Sequence, residues 1–76
     1  MEEQEFLKPC QLAFLIHQKS PYGDMWQKMS YHELLSIAAY KARRATLLEP
    51  KNAKIEDDIL DAISFLIFAW FQRQAP

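Results

Sequence analysis

The chain has 76 residues, half of them hydrophobic and 25% charged, with a formal net charge of −1, one glycine and one cysteine. A chain this short buries only about 60% of its unfolded surface, so residues 1–76 form a single small domain with a marginal core. High apolar content at low net charge excludes a disordered chain, the lone Cys10 excludes a disulfide scaffold, and four prolines with one glycine supply too few turns for an all-β domain.

The N-terminus, Met-Glu-Glu-Gln-Glu-Phe, is acidic where a secretory leader is basic, which sets a cytoplasmic expectation. Residues 1–8 are polar and predict a frayed end. Pro9 suits the first position of a helix, and Leu12-Ala13-Phe14-Leu15-Ile16 continues it as a short apolar helix to about Lys19. Ser20-Pro21-Tyr22-Gly23-Asp24 stops it, because the residue before a proline avoids the helical region. Residues 19–30 make a long connection, a length that is frequently functional. Its Tyr22, Met25, Trp26 and Met29 predict packing onto the body of the protein.

Ser30-Tyr31-His32-Glu33 is a capping box that opens a second helix. Leu34, Leu35, Ile37, Ala38, Ala42, Ala45 and Leu48 follow the helical period, and the helix ends near Glu49-Pro50. Residues 51–54 form a turn with Asn52 as cap. A third helix follows over about residues 55–73, opening on Glu56-Asp57-Asp58, the favoured sign for a helix start. Within it, eleven of the thirteen residues 59–71 are apolar. Thirteen helical residues span about 20 Å against about 30 Å of bilayer core, so no membrane partner is expected. A helix apolar on all sides is not covered by two short neighbours. Its surplus face, drawn from Phe65, Phe68, Trp70 and Phe71, is expected to meet another copy of the chain. The expected fold is all-α: a short helix, a long loop and two longer antiparallel helices, assembling into an oligomeric helical bundle.

Charge is distributed unevenly. Residues 31–54 carry five Lys/Arg against two Glu, while residues 55–61 carry four acids and no base. The balanced total argues against general nucleic-acid binding. Asp57, Asp61 and Ser64 share one helix face, with Asp58 one turn before Asp61. Asp57, Asp58 and Asp61 are therefore the candidate metal ligands, and magnesium is the hard cation such oxygens suit. No other cofactor is indicated. Helix-start charges and interhelical ion pairs are the plainer reading of the same acids. On the second helix, Lys41, Arg43 and Arg44 with Tyr40 suit phosphate oxygens and a stacked ring, while Tyr22 and Trp26 are candidates to lie near a base. Salt bridges from Lys41 and Arg44 to Asp57 and Asp61 are the alternative for that basic set. His17 and His32 are too isolated to suggest zinc, and no residue pattern suggests a serine or cysteine nucleophile.

Three segments taken together resemble a known family. They are Lys19-Ser20-Pro21-Tyr22-Gly23-Asp24-Met25-Trp26, then Leu34-Leu35-Ser36-Ile37-Ala38-Ala39-Tyr40-Lys41-Ala42-Arg43-Arg44, then Ile55-Glu56-Asp57-Asp58-Ile59-Leu60-Asp61-Ala62-Ile63-Ser64-Phe65. Over about residues 12–72 the chain resembles compact, phage-type MazG-like proteins. The resemblance implies an all-α oligomer that binds nucleoside triphosphates or their relatives. In active members it implies hydrolysis of the α–β phosphate link with magnesium held by carboxylates of two helices. Asp58 and Asp61 would match the second acidic motif, with Glu56 and Asp57 beside it. The first motif, of Glu-Glu-x-x-Glu type, is missing: Tyr40-Lys41-Ala42-Arg43-Arg44 stands near its place, and Glu33 is the only acid upstream on that helix. Half a metal site does not fix a metal and orient water, so the expectation leans away from an enzyme. The leading expectation is a binder of a nucleotide or nucleotide-derived signal, sequestering it in a phage context. The alternatives are an interaction module that inhibits a host enzyme or defence factor, and a magnesium-dependent nucleoside triphosphate pyrophosphohydrolase.

Overall fold

Local signals account for most of the helix boundaries. In the computed structural model, which describes residues 1–74, helix α1 spans Glu3–Lys19, a short 3-10 helix spans Met25–Lys28, and α2 and α3 span Tyr31–Thr46 and Lys54–Arg73. Residues 1–8 do not form a frayed lead-in: α1 starts at Glu3, six positions before Pro9. The backbone N–H of Glu2 donates to the Glu5 carboxylate at 3.3 Å, and acids in the first turn suit the helix dipole. Pro9 lies inside α1 and removes one backbone donor.

The end of α1 follows the expected chemistry. Ser20 is extended ahead of Pro21, and its N–H bonds the carbonyl of His17 at 3.0 Å. Gly23 takes φ +51°, in the left-handed region that other residues avoid. The α2 capping box is present: Glu33 N–H donates to Ser30 Oγ at 3.1 Å, and Ser30 N–H to Glu33 Oε1 at 3.2 Å. Ser30→Ala is expected to cost about 1 kcal/mol, read as a lower denaturation midpoint with an unchanged slope. Helix α2 stops at Thr46, before Glu49-Pro50. There the Thr46 hydroxyl donates back to the Arg43 carbonyl at 2.6 Å, and the Leu47 N–H tightens onto the Arg44 carbonyl. The N–H of Lys54 donates to Asn52 Oδ1 at 2.9 Å, but Ala53 and not the expected Asn52 stands at the N-cap of α3, so Asn52 closes the turn that leads into the helix.

Helix α3 is the central element, packing along α2 and against α1. Arg44 meets Asp58 and Lys41 meets Asp61, so rising numbers on one helix meet falling numbers on the other and α2 and α3 are antiparallel. The fully or nearly buried residues are few: Ala13, Leu34, Ala38, Leu60, Ala69 and the charged Asp58. Small alanines let the helices approach closely, but they leave much apolar surface outside. Among the described residues there is no strand, and no helix is long and apolar enough to cross a membrane.

Candidate functional site

The three-residue step from Lys41 to Arg44 on α2 matches the three-residue step from Asp58 to Asp61 on α3. Antiparallel packing therefore pairs them in one register. Arg44 grips Asp58 with a fork: Nε donates to Oδ2 at 2.9 Å and to Oδ1 at 3.1 Å, and Nη2 donates to Oδ1. Asp58 is wholly buried while Arg44 is partly exposed. The hydrogen bonds from Arg44 hold the Asp58 carboxyl below the ordinary aspartate value of 3.8, outweighing the upward push of burial, with the charges of Arg44, Lys41 and Lys54 adding to the effect. Asp58 in turn pushes the Arg44 guanidinium further up. Tyr40 packs beside this pair, its ring centre 5.7 Å from the Arg44 guanidinium carbon, within cation–π range.

One helical turn further along the same seam, Lys41 Nζ stands 3.2 Å from Asp61 Oδ2. This pair forms part of the wall of a cleft of about 380 Å³, bounded by the end of α1, the 20–29 connection, α2 and α3. The aromatic wall of the cleft is built by contacts distant in sequence. Trp26 stacks on Phe68 with ring centres 4.8 Å apart and planes 7° apart, and the His17 ring, tilted by 58°, lies 4.7 Å from Phe68. Phe65 meets Phe68 edge-on at 5.8 Å. Tyr22 and Ser64 add hydroxyls to the lining. His17 Nε2 also lies 3.9 Å from an Asp24 oxygen, a contact that is an ion pair only with the imidazole protonated.

The connection bearing Trp26 is clamped from α3. The Gln72 side-chain amide donates to the carbonyls of Met29 at 2.8 Å, Gln27 at 2.9 Å and Trp26 at 3.3 Å. These carbonyls close the 3-10 turn, where backbone acceptors lack regular helical partners.

The residues singled out from the sequence divide sharply. Tyr22, Trp26 and Lys41 line one cleft. Arg44 does not join them, because Asp58 occupies its fork. Tyr40 and Arg43 are exposed on α2 outside the cleft. Asp57, Asp58 and Asp61 do not gather on one point: Asp58 faces Arg44, Asp61 faces Lys41, and the exposed Asp57 shares only a shallow hollow with Asp61, Arg44 and Lys54. Among the described residues no three His, Cys, Asp or Glu side chains gather as a metal site, and a carboxylate with both oxygens bound to a guanidinium is a poor magnesium ligand. The donor set therefore does not fit the magnesium that the family resemblance implies. Of the four residues expected at an interface, Trp70 and Phe71 are exposed, whereas Phe65 and Phe68 turn into the cleft.

His17, Phe68 and Gln72 are site residues that the sequence did not single out as such. Asp61, Ser64, Phe65 and Phe68 share a helical stripe, which is a usable signal. Gln72 offers none, since its partners lie more than forty residues away. Compared with protein-family models, curated proteins and solved structures, the chain matches none of them. Its likeness to MazG-like proteins rests on the short motifs alone.

Proposed function

We propose that the chain is a small helical binding protein of MazG-like ancestry that holds a nucleotide or nucleotide-derived molecule in the cleft and works as an assembly of its own copies. The observation that carries this reading is the juxtaposition in one cleft of an aromatic wall, Tyr22 and Trp26, and the Lys41–Asp61 pair. Mostly apolar clefts with a few convergent polar groups are the usual form of small-molecule sites. Flat aromatic walls favour a planar ring.

The paired Lys41 and Asp61 sharpen the ligand class. Together they are neutral, and they present a donor beside an acceptor. That combination suits the amide-like edge of a nucleobase, with a ring carbonyl accepting from Lys41 and a ring N–H donating to Asp61. Among the described residues Lys41 is the one Lys or Arg that lines the cleft, since Arg44 is committed to Asp58 outside it. Hydrolysis draws the least support, because two of its three candidate metal ligands already serve as ion-pair partners.

Isothermal titration against nucleosides, nucleoside triphosphates and cyclic dinucleotides tests the reading. At least one compound is expected to bind, with Lys41→Ala and Tyr22→Ala each weakening it by about tenfold or more, the equivalent of about 1.4 kcal/mol. An absence of binding across the panel, or a Kd unmoved by both substitutions, overturns it. A second reading, an interaction module for another protein, draws on Phe6 and Phe14, which are 66% and 58% exposed on α1.

A further inference from the structure

Helix α3 has α2 on one side and α1 on another, and a third side is open. Along that side run Ile59, Ile63, Leu66 and Trp70, spaced four, three and four apart. This is the step of a helix–helix seam. Ile59, Leu66 and Trp70 are 48%, 51% and 54% exposed, and Ile63 is half-buried. No charged residue interrupts the stripe.

The molecule as a whole carries more surface than its mass warrants. Its accessible area is 6273 Å², whereas a 9.0 kDa monomer exposes about 4,900 Å². The excess of about 1,400 Å² exceeds the roughly 800 Å² that each partner buries in a standard interface and falls in the range of obligate dimers. The Cα radius of gyration, 12.9 Å, likewise exceeds the about 11.4 Å of a closed domain of this length. Both measures describe a fold short of one packing layer.

We infer that the missing layer is α3 of a second copy, docked antiparallel about a two-fold axis that passes between Ile63 and Leu66. In that register Ile59 faces Trp70 of the second copy, and Ile63 faces Leu66 of the second copy. Every stripe residue then meets an apolar mate. A two-fold interface must be complementary to itself, and an unbroken apolar seam with this internal symmetry meets that demand. The inference rests on the self-assembly named above but not on the ligand, since the cleft opens between α2, α1 and the connection.

Two experiments on the full chain test it, both read with light scattering after size exclusion. Wild-type protein is expected to run as a dimer or a multiple of it, Leu66→Glu as a monomer, and Phe14→Glu, on α1, like wild type. Because a monomer can lose its fold, a second test uses Ile63→Cys with Leu66→Cys in a Cys10→Ser background. Mild oxidation is expected to link two chains in that variant, and not in one carrying Phe14→Cys instead. A wild-type oligomer that survives Leu66→Glu, or that fails to cross-link, overturns the α3 seam and leaves self-assembly standing. A wild-type monomer at micromolar concentration overturns both.

Discussion

Arg44→Ala is expected to be the most damaging single substitution in the chain. It leaves the carboxylate of Asp58, with no side-chain exposure, inside the protein without a counter-charge. Breaking a buried pair from one side leaves the desolvation cost of the survivor uncompensated. For a domain of this size the expected loss is more than about 10 °C in Tm. Asp58→Ala should cost less, because Arg44 is partly exposed and its guanidinium can turn to water. The double variant Arg44→Leu/Asp58→Leu should recover most of the loss, since apolar replacements often match a buried ion pair. Thermal melts followed by circular dichroism decide the order, and a double variant no better than Arg44→Ala refutes the explanation.

The same pair sets an acid limit on the fold. Asp58 has its carboxyl held below 3.8 in the folded chain by Arg44. A group depressed in this way binds protons more readily when unfolded. Its contribution is therefore complete above about pH 4 to 5 and is lost as pH falls through the folded value. Melts between about pH 7 and pH 3 should show Tm falling steeply at the acid end for wild type, and less steeply for the Leu/Leu variant.

Leu34→Ala is the second substitution of large effect, with an expected cost of about 2–5 kcal/mol. Leu34 has 0% exposure, and it shares the buried set with only one other large apolar side chain, Leu60. The remaining buried apolar residues are alanines, which cannot swing in to fill a cavity. Leu47, 77% exposed, is the natural control, and Leu47→Ala should lie within about 0.5 kcal/mol of wild type. Denaturant unfolding with a common slope measures both.

The parts of this fold legible in the sequence are those decided within a few residues. The Ser30–Glu33 box and the stop at Ser20-Pro21 depend on neighbours one to three positions away. The start of α1 was misleading for the same local reason, because Pro9 is a strong first-turn signal and outweighed the modest Glu2–Glu5 cap. The sequence suggests ion pairs from Lys41 and Arg44 to Asp57 and Asp61, and only the helix register shows that Asp58, not Asp57, takes Arg44. For the cleft, Tyr22, Trp26 and Lys41 were recognisable by residue type. The sequence places Phe65 and Phe68 on an outer face, since nothing local to them indicates that the connection folds back onto α3. That information lies in the stacking of Trp26 on Phe68.

The grip of Gln72 on the connection carries a consequence for a shortened chain. Its three hydrogen bonds join positions 43, 45 and 46 residues apart, more than half the length of the chain. The backbone hydrogen bonds of α1 and α2 are local, whereas the Trp26 wall depends on the last turn of α3. A chain shortened to end before Gln72 is expected to keep the Arg44–Asp58 pair and to lack the clamp. The aromatic wall at Trp26 is thereby tied to the far end of α3.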